Sequence, residues 1–287
     1  MKKPQLLTVS IAIILLGGIY FFGRTVPKKS KTSTASITGD AKQKDNQGSG
    51  FSFDSVLLHE KEHLSKEQVV RISTMENAIS RGDVKNQQVQ AYHNLARFWA
   101  DSARVFEPYA WYHAEAARLE NSEKSLTFAA QLFLENLQTD QDLERRKWKA
   151  LQAKDLFERS LILNPGNDSA KVGIGACYLF GNISPTPMEG ILKIREVAEK
   201  DSNNMYAQLM LGRASLVSGQ YDKAISRLET VCRHQPDNID AMLLLAEVYE
   251  RTGDKSNAIS WYQRCLRGVK QPEARTAIEE RIAALKK

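Results

Sequence analysis

Residues that break helices are scarce in this chain, and so are the signatures of catalysis. Eight prolines and sixteen glycines in 287 residues, with no alternating β-rich runs, offer little from which to build strands and hairpins. An all-α fold is the expectation. The three cysteines, Cys177, Cys232 and Cys265, are odd in number and have no paired spacing. That excludes a disulfide framework and a paired-cysteine zinc site, and leaves them as small apolar fillers between packed helices. There is no glycine-rich phosphate loop and no G-x-S-x-G elbow, and His93, His113 and His234 stand isolated. No catalytic residue and no cofactor is assigned.

An excess of basic charge is also missing from most of the chain, despite a formal net charge of +6. Residues 1–50 hold eight lysines and arginines against Asp40 and Asp45, which leaves 32 basic and 32 acidic residues in 51–287. A balanced body of this kind argues against nucleic acid as a partner.

One long apolar run is present. Residues 4–23 are 20 positions without a charge, bounded by Lys2 and Lys3 on one side and Arg24 on the other. At 1.5 Å per residue this helix would span about 30 Å of hydrocarbon, with Tyr20, Phe21 and Phe22 near one interface. No A-x-A-like cleavage site follows and no cysteine is placed to accept a lipid, so an uncleaved transmembrane anchor is expected over 1–23. Positive charge is nearly balanced across the span and tilts slightly towards a cytoplasmic domain, with Arg24, Lys28, Lys29 and Lys31 on the far flank. A very short basic N-terminus suits a signal anchor of the bacterial inner membrane with its domain in the periplasm. Residues 24–50 are rich in Ser, Thr and Lys with no apolar periodicity, which predicts a flexible, disordered linker reaching roughly 30 Å.

Residues 51–120 read as helical. Ser65 and Gln68 form a capping box for a helix with apolar positions Val69, Ile72, Met75 and Ile79. A second helix carries Tyr92, Leu95, Phe98 and Trp99, and Pro108 opens a third with Tyr109, Trp111, Tyr112 and Leu119. Just before them, His59-Glu60-Lys61-Glu62-His63 satisfies H-E-x-x-H, which on a helix aims two imidazoles at zinc and supplies a glutamate as general base. The extended form of that motif fails, with Lys66 and Val69 at its glycine and third-histidine positions. A zinc metallopeptidase therefore stands as the alternative to a binding protein, and no metal ligand is assigned.

The chain is organised around residues 205–238. Leu211 and Gly212 are adjacent, Gly219 follows seven residues after Gly212, and Tyr221, Ala224, Leu228 and Pro236 come next. Gly212 and Ala224 are small enough for two antiparallel helices to approach, Gly219 permits the turn, and Pro236 ends the second helix. Residues 239–272 repeat the pattern with Leu245, Ala246, Tyr249, Gly253, Ala258 and Tyr262. Residues 168–204 repeat it with Ile174, Gly175, Tyr178, Gly190, Ile194 and Val197, and are three residues longer, the surplus falling in the turn 181–187. Ala153, Phe157 and Pro165 mark the second helix of a further unit at about 121–167, whose first helix lies near 122–137.

This spacing resembles the tetratricopeptide repeat (TPR) family over 122–285, and more weakly over 64–120. The early aromatic position of the family holds Lys171, Gln208 and Met242 instead. The resemblance implies a right-handed superhelical solenoid of helix–turn–helix units, with the first helix of each pair lining a concave, protein-binding face. The units run 121–167, 168–204, 205–238 and 239–272, preceded by degenerate repeats in 51–120. A capping helix over 273–287 carries Ile278, Ile282 and Leu285 on one side.

Offsets along the first helices assign Tyr206, Leu209, Arg213, Leu216, Leu243, Glu247, Glu250 and Arg251 to the groove, with Ser169, Val172, Ala176, Leu179 and Phe180 in the unit before. Arg213 is a lone central base, so the Lys/Asn carboxylate clamp of some TPR proteins is absent. Leu209, Leu216 and Leu243 fit packing between helices equally well, and both readings stand. An apolar peptide or amphipathic helix of a partner protein suits this surface. In layout the chain is similar to the bacterial single-span TPR proteins that assist the secretion translocon or cytochrome c biogenesis. That similarity implies a membrane-anchored scaffold in envelope protein biogenesis or assembly. Self-association through the aromatic-rich residues 86–120 is a further option.

Overall fold

The computed structural model describes residues 51–81 and 84–287, and the expected anchor (1–23) and linker (24–50) lie outside the described residues. Among the described residues there are thirteen α-helices and no strand, and no helix is long and apolar enough to cross a membrane. The first four are α1 (Phe53–Glu62), α2 (Lys66–Arg81), α3 (Lys85–Phe98), which runs into a π-helical turn at Trp99–Ala103, and α4 (Phe106–Glu120). Then follow α5 (Glu123–Leu137), α6 (Leu143–Leu163), α7 (Asp168–Phe180), α8 (Met188–Lys200) and α9 (Met205–Val217). The series ends with α10 (Tyr221–His234), α11 (Ile239–Arg251), α12 (Lys255–Gly268) and α13 (Pro272–Leu285).

Neighbouring helices pair as hairpins: α3 with α4, α5 with α6, α7 with α8, α9 with α10 and α11 with α12. Each second helix then packs on the first helix of the following pair, and α5, α7, α9 and α11 touch one another in turn. The result is an all-helical solenoid in which those four form one continuous inner row.

Local chemistry sets where these helices begin. Asn167, Asn204 and Asn238 each accept a hydrogen bond through Oδ1 from the amide three residues on, at Ala170, Ala207 and Ala241 (2.9, 3.0 and 2.9 Å). Such a cap is worth about 1 kcal/mol. Ser65 and Gln68 make reciprocal capping bonds at the start of α2. Gly219 (φ +72°) and Gly253 (φ +82°) close the hairpins α9–α10 and α11–α12 in the left-handed region, with open space where a Cβ would stand. Their requirement is conformational.

Inside the hairpins the requirement is steric. A Cβ on Gly212 would lie 2.9 Å from the Leu228 side chain of α10, and one on Gly175 would lie 2.5 Å from Ile194 of α8. Leu211, Ala224, Leu245, Ala246 and Ala258 are all buried, and Pro236 is exposed just past the C-cap of α10. Full burial of Phe98, Phe133 and Phe157 contributes about 1.5–3 kcal/mol each. In α2 the apolar periodicity needs one correction. Ile72 and Ile79 are buried but Val69 is 42% exposed. At the other end, Ile278 and Ile282 of α13 seal the last hairpin.

Two features had no counterpart in the sequence pattern. Phe51 and Phe53 lie against Trp148 and Trp111 (centroids 4.8 and 4.5 Å), and this aromatic stack seats α1, which has no buried residue, on the solenoid. Beside it a buried charge cluster ties three segments together. Lys149 Nζ, on a side chain only 3% exposed, sits 2.7 Å from Asp140 Oδ2, 2.8 Å from Glu107 Oε1 and 2.5 Å from Asn136 Oδ1. Burial alone would raise the Asp140 carboxyl, but hydrogen bonds from Arg145 and Lys149 hold it well below the usual carboxylate range.

Candidate functional site

The inner row carries the residues a ligand would meet. Counted from the first residue of each helix, the second positions of α5, α7, α9 and α11 are Lys124, Ser169, Tyr206 and Asp240. The ninth positions are Gln131, Ala176, Arg213 and Glu247. Lys124, Gln131, Ser169 and Tyr206 line one hollow and Glu247 a second, of different chemistry.

The first hollow, about 580 Å³, is bounded by Glu123, Lys124, Thr127, Phe128 and Gln131 of α5, by Asn167 and Ser169 at the start of α7, and by Tyr206 of α9. The Phe128 ring is 53% exposed, although the residue sits mid-helix. Around it stand amides and hydroxyls. Asn167 caps α7 and donates through Nδ2 to Glu123 Oε1 (2.7 Å), Thr127 Oγ1 (3.1 Å) and Ser160 Oγ (3.1 Å), so one side chain joins α5, α6 and α7. Tyr206 donates its phenol to Gln131 Oε1 (3.3 Å) across the row, and burial pushes that phenol up. An exposed phenyl ring framed by fixed polar groups can accept an apolar side chain while hydrogen-bonding the backbone that carries it.

The second hollow, about 370 Å³, brings together Leu243, Leu244, Glu247, Glu250 and Arg251 of α11 with Tyr262 of α12 and Arg281 of α13. Its charges are already paired. Arg251 Nη2 bonds Glu247 at 2.6 Å, Arg281 forks onto Glu250, and Tyr262 donates to Glu250 Oε2 at 3.1 Å. Burial, with the Glu250 carboxylate beside it, pushes the Tyr262 phenol up to about 12. Exposed pairs of this kind contribute little on their own and mainly hold a surface in shape.

Arg213 lies between the two. Its side chain is 19% exposed, its Nη2 is 3.8 Å from Asp240 Oδ2, and its buried Nε has no acceptor. Burial draws this guanidinium below its ordinary value, opposed by Asp240. Leu209 and Leu216, assigned to the groove by their offsets, are buried at 8% and 4% exposure. They pack rather than line, because the inner helices touch and close over those positions. The groove residues from Tyr206 to Arg251 therefore divide. Tyr206 joins the first hollow, four on α11 help form the second, Arg213 stands between, and two leucines belong to the core.

The residues missed were Lys124, Thr127, Phe128 and Gln131. For three of them the signal lies in the helix caps: Ser122, Asn167, Asn204 and Asn238 all precede a first helix, and the same offsets counted from Ser122 reach Lys124, Thr127 and Gln131 but not Phe128. The H-E-x-x-H segment lies elsewhere, on α1, which contacts α4. His59 and His63 are exposed there, and among the described residues no third histidine, cysteine or carboxylate joins them. His93 bonds Glu120 (2.9 Å) with His113 beside it, and burial lowers the His113 imidazole.

Residues 209–277 match the family described as tetratricopeptide repeat. Among solved structures, TTC0263, a thermophilic TPR protein of Thermus thermophilus, is 14% identical over 69% of this chain and 98% of its own, with a TM-score of 0.51. PilW, described as a widely conserved type IV pilus biogenesis factor, is 17% identical over 69% of this chain and 85% of its own, with a TM-score of 0.47. A tetratricopeptide repeat protein of Parabacteroides merdae is 12% identical over 82% of this chain and 99% of its own, with a TM-score of 0.41. No curated protein matches the chain. At 14% identity the likeness to the Thermus protein concerns the arrangement of helices alone. Stacked helical hairpins, small residues at their crossings, glycines at their turns and the family match over two of them agree on a TPR-like helical solenoid, with the tetratricopeptide repeat family matched over residues 209–277.

Proposed function

We propose that this chain is a membrane-anchored scaffold that holds a peptide or helical segment of a protein partner against the inner row of its solenoid. TPR proteins are scaffolds for protein–protein interaction, and the observation that carries the reading here is the first hollow. There an exposed Phe128 ring lies among the side chains of Thr127, Gln131, Asn167 and Ser169. An aromatic anchor with satisfied polar neighbours is the pattern of a binding hot spot. The paired charges at Glu247, Glu250, Arg251 and Arg281 then set register at the far end. The uncharged residues 4–23 support anchorage in a bacterial inner membrane, with the solenoid on the periplasmic side and a role in envelope protein assembly.

Site-specific photocrosslinking in cells tests it. A probe at Phe128 or Arg213 is expected to trap a discrete protein, while a probe at Ile162, an 80% exposed residue of α6 outside the hollow, traps none. Equal capture from all three positions would remove the groove as the binding site. Release of the full chain from membranes by alkaline carbonate would remove the anchor.

A further inference from the structure

The H-E-x-x-H segment is the one chemical motif that the binding reading leaves unused, and its geometry carries an inference independent of the groove. His59 and His63 stand one helical turn apart, and their Nε2 atoms face each other at 3.4 Å, with rings nearly perpendicular (86°) and centroids 4.7 Å apart. That separation is poor for a hydrogen bond, whose usual N···acceptor range is about 2.7–3.2 Å. It fits a shared metal ion. With Zn–N bonds of about 2.0–2.1 Å, two nitrogens on a tetrahedral ion lie about 3.3–3.4 Å apart.

We propose that His59 and His63 form a bidentate surface site for a divalent transition-metal ion of the zinc class. The surroundings favour a cation. The pair occupies the C-terminal end of α1, where unsatisfied carbonyls give the helix its partial negative charge. Lys61, between the two histidines in sequence, reaches Glu76 at 2.7 Å, so its charge is paired there. Both imidazoles are exposed, so the ion reaches them without opening the fold, and water completes its coordination. Two protein ligands with no third among the described residues make this an open binding site and not a peptidase centre.

The consequence falls on α1. This helix buries no residue and is held by the Phe53–Trp111 stack near its N-terminus. A metal bridging positions 59 and 63 clips its last turn shut at the opposite end. Binding to the ordered helix alone stabilises it by mass action.

Titration of the full-length chain with Zn²⁺ or Co²⁺ alone, followed by calorimetry and by amide hydrogen exchange, tests this. One ion per chain is expected, with exchange in α1 slowed when the ion is present. His59→Gln and His63→Gln should each weaken binding at least tenfold and abolish the protection, while His93→Gln and His234→Gln leave both unchanged. All four histidines lie outside the core, so circular dichroism of each variant separates lost binding from lost folding. Parent-like binding in either the His59 or the His63 variant would overturn the site, as would no heat and no protection at millimolar Zn²⁺.

Discussion

Gly175 of α7 and Gly190 of α8 cross backbone to backbone: a Cβ on Gly190 would lie 2.3 Å from the Gly175 carbonyl oxygen, and one on Gly175 would lie 2.7 Å from the Gly190 carbonyl oxygen. The obstacle on each side is main chain, which cannot rotate out of the way. Gly190→Ala is therefore expected to force the hairpin apart and destabilise the protein by about 1–3 kcal/mol, the usual cost of overpacking. Chemical denaturation checks it, and an unchanged midpoint would mean that the two helices can separate freely.

Asp140→Asn should cost more, about 3 kcal/mol or above, because it leaves the 3%-exposed Lys149 without its nearest carboxylate. The pH dependence follows from the depressed Asp140 carboxyl. A carboxylate whose folded value lies below the unfolded one stabilises in full above the unfolded value, about 3.9, and loses that contribution as pH falls through the folded one. The stability gap between parent and variant is expected to be constant from neutral pH down to about pH 5 and to shrink in stronger acid. A gap that stays constant to about pH 2 would show that the carboxylate is not the source.

The capping asparagines should not be equivalent. Asn204→Ala and Asn238→Ala remove a cap, at about 1 kcal/mol each. Asn167→Ala also removes bonds to Glu123, Thr127 and Ser160, so its loss should exceed theirs by a further hydrogen bond or more, about 1 kcal/mol. Thermal melts of the three variants give the order directly. Equal losses would show that the bonds between helices contribute nothing.

The three thiols should be inert in the folded protein. All are buried, and burial pushes Cys232 up to about 11 and Cys265 up to about 12, with Cys177 higher still. At about pH 8 almost no thiolate forms, and thiolate is the reacting species. Iodoacetamide is expected to label none of them until denaturant is added. Rapid native labelling at Cys177 would place α7 outside the core.

The repeats were legible because they are written in residues with little alternative use: Gly212 at a helix crossing, Gly219 and Gly253 at left-handed turns, Asn caps before first helices. Each acts within one hairpin, so spacing alone reveals it. The groove was legible only in part. The offsets reach Tyr206 and the α11 residues that line the two hollows, but α5 carries Ala129-Ala130 in place of the Leu211-Gly212 signal, so its Phe128 and the polar side chains around it do not stand out in the pattern. Leu209 and Leu216, for which both readings stood, are buried, and sequence does not decide between them because an apolar residue on an inner helix looks the same whether it meets a ligand or a neighbouring helix.

An all-helical stack of hairpins follows from local propensity, small residues and caps, which depend on near neighbours in the chain. The charge cluster at Asp140 and Lys149, the aromatic seat of Phe53 on Trp111 and the hollow around Phe128 depend on side chains brought together across loops and from distant helices. Such contacts are fixed by how the hairpins pack on one another, and burial is set by that packing and by no single stretch of sequence.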